Sequence, residues 1–185
     1  MKFSNLEKKE LIKAWLAISI AFGIVLKGTN LGFIQNFILA ALTVGVGFLL
    51  HELAHKVVAQ RYRCWAEFRA FDQMLILAVL MSFFGFVFAA PGAVFIKGFV
   101  TKEKNGKISV AGPITNIILA LIFHILMQYS SGYLKIISDY GLMINSWLAL
   151  FNMIPVWNFD GIKVFAWNKT VYFIVVIIAF IIIIL

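Results

Sequence analysis

His51-Glu52-Leu53-Ala54-His55 is the segment of the chain whose residue types and spacing best fit a reaction centre. On a helix, positions i and i+4 share a face, so both imidazoles can reach one metal ion. Glu52 lies beside them, placed to take a proton from a water held by zinc. With 3 His in 185 residues, a chance H-E-x-x-H match arises in roughly one such chain in a thousand. A catalytic zinc needs a third protein ligand and one position left open for water. The remaining candidates are few: Glu7 and Glu10 in the N-terminal arm, Glu67 and Asp72 after the histidines, Glu103 among lysines, Asp139 in a polar turn, His124 in an apolar run, and Asp160. Asp160 follows an apolar run that breaks at Pro155. Broken backbone at membrane depth is tolerated only where it is buried in protein or lines a wet cavity. That favours Asp160 and leaves the other acids open.

The elements that must position these groups are membrane helices. The chain is 63% hydrophobic and 13% charged, well beyond the composition of a soluble domain. The length predicts one domain over residues 1–185. Apolar runs predict about six spans, at 14–26, 31–58, 74–90, 114–127, 141–154 and 170–185. The first has a basic front but no small-residue cleavage site before Lys27, so it is expected to be retained. The second is uncharged from Leu31 to Leu50 and meets no proline or glycine between His51 and Arg61. One helix should therefore carry the whole motif, with His51 and His55 about 15 and 9 Å before Arg61 along its axis. Ionisable residues inside such a helix mark function. Proline and glycine punctuation from Pro91 to Gly112 predicts a small strand or hairpin, in stretches such as Ala93–Ile96 and Lys107–Val110. The predicted fold is an all-α membrane bundle with that β element between the third and fourth spans.

A net charge of +8 does not point to nucleic acid. The cations sit in short clusters between apolar runs, as Lys8, Lys9 and Lys13, then Arg61, Arg63 and Arg69, then Lys102, Lys104 and Lys107. Such clusters suit lipid headgroups at a bilayer surface. The lone Cys64 excludes an intramolecular disulfide and a multi-cysteine zinc site.

H-E-x-x-H ending a membrane helix, followed about a hundred residues later by Asn152-x-x-Pro155 and Asp160-Gly161, resembles the site-2 protease family of intramembrane metalloproteases. Further segments are similar to its archaeal members: Pro91-Gly92-Ala93-Val94, Ala111-Gly112-Pro113-Ile114-Thr115-Asn116, Asp160-Gly161-Ile162-Lys163-Val164, and Trp167-Asn168. Many members carry a second proline where this chain has Asn158. The resemblance implies one zinc held by His51, His55 and Asp160, with Glu52 as general base. It implies that Asn152 and Asn116 help hold the substrate or polarise its carbonyl. Asn116 can equally bridge helices. Strand addition to an exposed edge near Val94 and Phe95 would hold an unwound substrate. Expected partners are transmembrane protein substrates and the bilayer, and no regulatory domain of the PDZ or CBS kind is expected. The weak charge bias predicts a cytoplasmic N-terminus and a site near the cytoplasmic face of the cell membrane. Two other classes compete: a membrane protease whose third ligand is Glu67 or Glu103, and a non-catalytic metal-binding or chaperone-like membrane protein.

Overall fold

The computed structural model describes residues 2–28, 30–87 and 90–184. Ser4 opens the first helix, α1 (Asn5–Val25), by accepting the Glu7 amide at 3.0 Å. Glu7 then places an acid where the helix dipole favours one. The next helix, α2 (Phe33–Ala40), passes through a π turn at Ala41–Gly45 into α3 (Val46–Arg61). Trp15 of α1 braces that turn, its indole N–H donating to the Ala41 carbonyl at 3.0 Å. The continuous rod Phe33–Arg61 carries the H-E-x-x-H motif, as its unbroken sequence predicted.

Two strands, β1 (Trp65–Ala70) and β2 (Gly92–Lys97), pair antiparallel, from Trp65 opposite Lys97 to Ala70 opposite Gly92. Between them lies α4 (Asp72–Ser82). The long α5 (Lys102–Tyr129) and α6 (Gly132–Asn152) follow, then the short α7 (Asp160–Trp167) and α8 (Lys169–Ile184). The larger core lies among α5 to α8, around Ile117, Ala120, Leu142, Ala149, Val164 and Val175. A second joins α1 to the rod through Ile18, Ala40 and Val44.

The protein is mostly helical with one small sheet, but several expected boundaries change. Among the described residues, three helices are long and apolar enough to cross a membrane: Asn5–Gly28, Phe33–Arg61 and Lys102–Tyr129. The third expected span, 74–90, holds only α4, 11 residues long. That is about 16 Å of helix, half the hydrocarbon thickness. Phe88 and Ala89 of that span, and Leu185 of the last, lie outside the described residues. The hairpin partner of β2 is β1, a stretch not expected to be a strand, and Lys107–Val110 is helix. Thr101 caps α5 by accepting the Lys104 amide at 3.3 Å, and Glu103 pairs with Lys107 at 2.5 Å. Gly106 is no turn residue: it lets α5 press on Trp167, whose Cγ would lie 2.5 Å from a Cβ there.

Candidate metal centre

Three elements converge on one point. The helix α3 supplies His51 and His55, one turn apart and facing inward, both under a tenth exposed. The first residue of α7 supplies Asp160, whose Oδ2 lies 3.2 Å from His51 Nε2 and 3.1 Å from His55 Nε2. The three ligand atoms lie within 4.8 Å of one another. Two ligands on a tetrahedral zinc at Zn–N and Zn–O lengths of 2.0–2.2 Å sit about 3.3–3.5 Å apart, so the spacing is close to what zinc requires.

Hydrogen bonds fix which nitrogen of each ring points at Asp160. His51 Nδ1 faces Asn116 Oδ1 at 2.6 Å, and His55 Nδ1 faces the Ile108 carbonyl at 2.8 Å. Both partners are acceptors, so each Nδ1 carries a proton and donates, and in the neutral rings both Nε2 lone pairs are turned to a carboxylate. Three acceptors converging in a buried space repel one another unless a cation lies between them. The orientation of Asn116 is itself set: its amide donates to the Gly47 carbonyl at 3.2 Å and to Asn145 Oδ1 at 3.0 Å, while Asn145 donates to the Gly141 carbonyl at 2.9 Å. A buried relay thus runs from α6 through α5 to a candidate ligand, the kind of outer partner that tunes metal sites.

Gly112 completes the cradle. A Cβ there would lie 2.5 Å from His51 Nε2 and 2.6 Å from His55 Cε1. Only glycine lets α5 pass this close to the ligand edges of the rings. Pro113 follows, and with no N–H it leaves the Ser109 carbonyl without its helical donor, next to the Ile108 carbonyl that accepts from His55. At α7 the backbone before Asp160 is equally tight, since a Cβ on Gly161 would overlap the Met153 carbonyl oxygen. Lys163, one turn on, lies 3.8 Å from Asp160 Oδ1, the carboxylate oxygen turned away from the histidines.

Glu52 stands beside the triad, buried, and its Oε2 accepts the Val94 amide of β2 at 3.0 Å. Of the other expected site residues, Asn116 is fully buried with its amide committed to the relay. Asn152, at the end of α6, donates to the Leu148 carbonyl at 2.9 Å. Phe95 lies on the opposite strand face from Val94, 46% exposed and edge-on to Phe71. The rival ligands are occupied elsewhere: Glu67 bonds Ser4 and Arg69, Glu103 bonds Lys107, and His124 lies further along α5. Sequence reasoning passed over Asn145 and read Gly112 only as the end of a glycine- and proline-punctuated stretch, not as part of the site. A glycine within an otherwise helical apolar stretch was the signal for the latter.

Over 179 residues the chain is 42% identical to a protein of Methanocaldococcus jannaschii named a "putative zinc metalloprotease", with 95% of this chain and 93% of that one covered. The chain belongs to this family of zinc metalloproteases. No protein-family profile and no solved structure matches it. Zinc is accordingly its cofactor, and the buried His51, His55 and Asp160 group can bind one ion.

Proposed function

We propose that the chain is an intramembrane zinc metalloendopeptidase of the site-2 protease kind, hydrolysing peptide bonds within or near transmembrane segments of other proteins. The observation that carries this reading is that the His-His-Asp group and Glu52 are built on Phe33–Arg61, a helix long and apolar enough to cross the bilayer. A soluble protease has no need to bury its base and ligands there. When bound, zinc supplies Lewis acidity toward water and toward the scissile carbonyl. Asn116 and the Ile108 carbonyl hold the two imidazoles in the tautomer that offers Nε2. Glu52 takes a proton from the attacking water as the new C–O bond forms, and returns it to the nitrogen as the C–N bond breaks. The Val94 amide holds the other end of that carboxylate in place.

Substrate contacts fall on Asn152 and on the β2 edge at Val94 and Phe95, where an unwound segment adds as a strand. In this reading α6 and α8 cross alongside the three long helices, and the short α4 enters the bilayer without crossing it, so five of the six expected spans are kept. The basic residues Arg61 and Arg63 beyond the histidines fit a site near the cytoplasmic face. The test is cleavage of a transmembrane substrate by the purified chain in lipid vesicles, with products mapped by mass. Cuts inside or beside the substrate's apolar segment, lost in Glu52→Gln while zinc is retained, are expected. Undiminished cleavage by Glu52→Gln, or cuts confined to soluble loops, would overturn the proposal.

A further inference from the structure

Glu7, in the first turn of α1, is wholly buried and forms an ion pair with Lys56, which is itself 1% exposed at its side chain. Lys56 is the residue after His55 and lies one turn beyond Glu52 on α3. Its ammonium also sits 4.4 Å over the Phe3 ring, so α1 and its N-terminal arm enclose it. Glu7's second oxygen, Oε1, accepts the Phe68 amide of β1 at 2.9 Å. Phe68 is the cross-strand partner of Val94, whose own amide donates to Glu52. Both amides point outward from the hairpin, so this rung is of the narrow kind without bonds between its two residues.

These contacts close a circuit that begins and ends on one helix: Lys56, Glu7, Phe68, Val94, Glu52. Two carboxylates grip the same rung from opposite edges, and both are referred to α3 at points four residues apart. The hairpin cannot slide along α3 without breaking one of the two. A buried apolar pair would join α1 to α3 with less desolvation, so what the ion pair adds is direction. We propose that Glu7 is a positioning residue for the reaction, fixing the hairpin and through it the carboxylate of Glu52 against the metal centre. This rests on Glu52 serving as the base. It concerns α1, which contributes no residue to the His51, His55 and Asp160 group.

The test uses the full-length protein in lipid vesicles and compares Glu7→Ala with the double variant Glu7→Gln/Lys56→Met. The single variant leaves Lys56 buried without its counter-ion and can fail to fold. The double variant keeps an acceptor for the Phe68 amide, leaves no orphaned charge, and severs only the tether to α3. Its kcat should fall about tenfold or more with KM within about twofold, as expected when a base is displaced but the substrate still docks. Zinc stoichiometry should be unchanged, and the Val94 amide should exchange with solvent at least about tenfold faster. Glu103→Gln, which breaks a surface pair, should leave all four readouts as in the wild type. Unchanged kcat and Val94 exchange in the double variant would overturn the proposal. So would zinc lost in parallel with kcat, which would assign Glu7 to bundle integrity, or a raised KM with kcat intact, which would assign it to substrate holding. If the wild type cleaves nothing, the proposed function fails, and Val94 exchange still decides whether Glu7 holds the hairpin.

Discussion

Replacing Gly112 by alanine should weaken zinc binding, although alanine inside a helix ordinarily stabilises it by about 1 kcal/mol over glycine. The added Cβ would meet His51 Nε2 at 2.5 Å and His55 Cε1 at 2.6 Å. Carbon contacts rest at about 3.5–4.0 Å, so the rings or the helix must yield by about 1 Å. Neither ring can tilt freely, because His51 Nδ1 is held at 2.6 Å by Asn116 and His55 Nδ1 at 2.8 Å by Ile108. Overpacking of this kind costs about 1–3 kcal/mol. If that cost falls on the ligand geometry, zinc affinity drops by about five- to 150-fold. Competition with a chromogenic chelator measures the affinity, and the thermal shift on adding zinc gives an independent reading, since stabilisation by a ligand follows its dissociation constant. Wild-type affinity and an undiminished zinc shift in Gly112→Ala would refute the packing of α5 over the two imidazoles.

Other outcomes follow from the same geometry. Asn116→Ala should reduce zinc affinity by about 10- to 100-fold, the usual cost of losing a partner that orients a ligand, as titration would show. Asp160→Asn should lower it further, since an amide cannot supply the negative charge that offsets the ion, and metal analysis after dialysis checks this. Val94→Pro removes the amide that holds Glu52, so a cleavage assay should show a reduced kcat with zinc still bound.

The reactive centre was the most legible part of the chain, because H-E-x-x-H has a fixed helical spacing and the helix around it has no breaker. Asp160 was legible because few acids compete for the role and it follows a proline-marked break. The hairpin was half legible. Pro91 and Gly92 signalled β2, but Trp65–Ala70 carries no such mark, since Glu67 and Arg69 alternate with Ala66 and Phe68 over only six residues. Its edge is satisfied by side chains of α1, Glu7 to the Phe68 amide and Glu10 to the Ala70 amide, partners some sixty residues away that no local pattern announces. Lys107–Val110 misled for the opposite reason. Gly106 reads as a turn in sequence, whereas its role is to admit Trp167. A lysine on a membrane helix ordinarily extends toward water, but Lys56 is buried on Glu7, a long-range pairing invisible to helical periodicity.

Zinc-edge X-ray absorption on the wild type and on Asp160→Ala tests the central claim most directly. The account predicts one zinc per chain in the wild type, with two imidazole nitrogens at about 2.0–2.1 Å and oxygen at about 2.0–2.2 Å. In Asp160→Ala, zinc should be lost, or the carboxylate contribution should vanish from a two-histidine site. A sulfur neighbour, a single imidazole, or a spectrum unchanged by removing Asp160 would contradict a centre built from His51, His55 and Asp160.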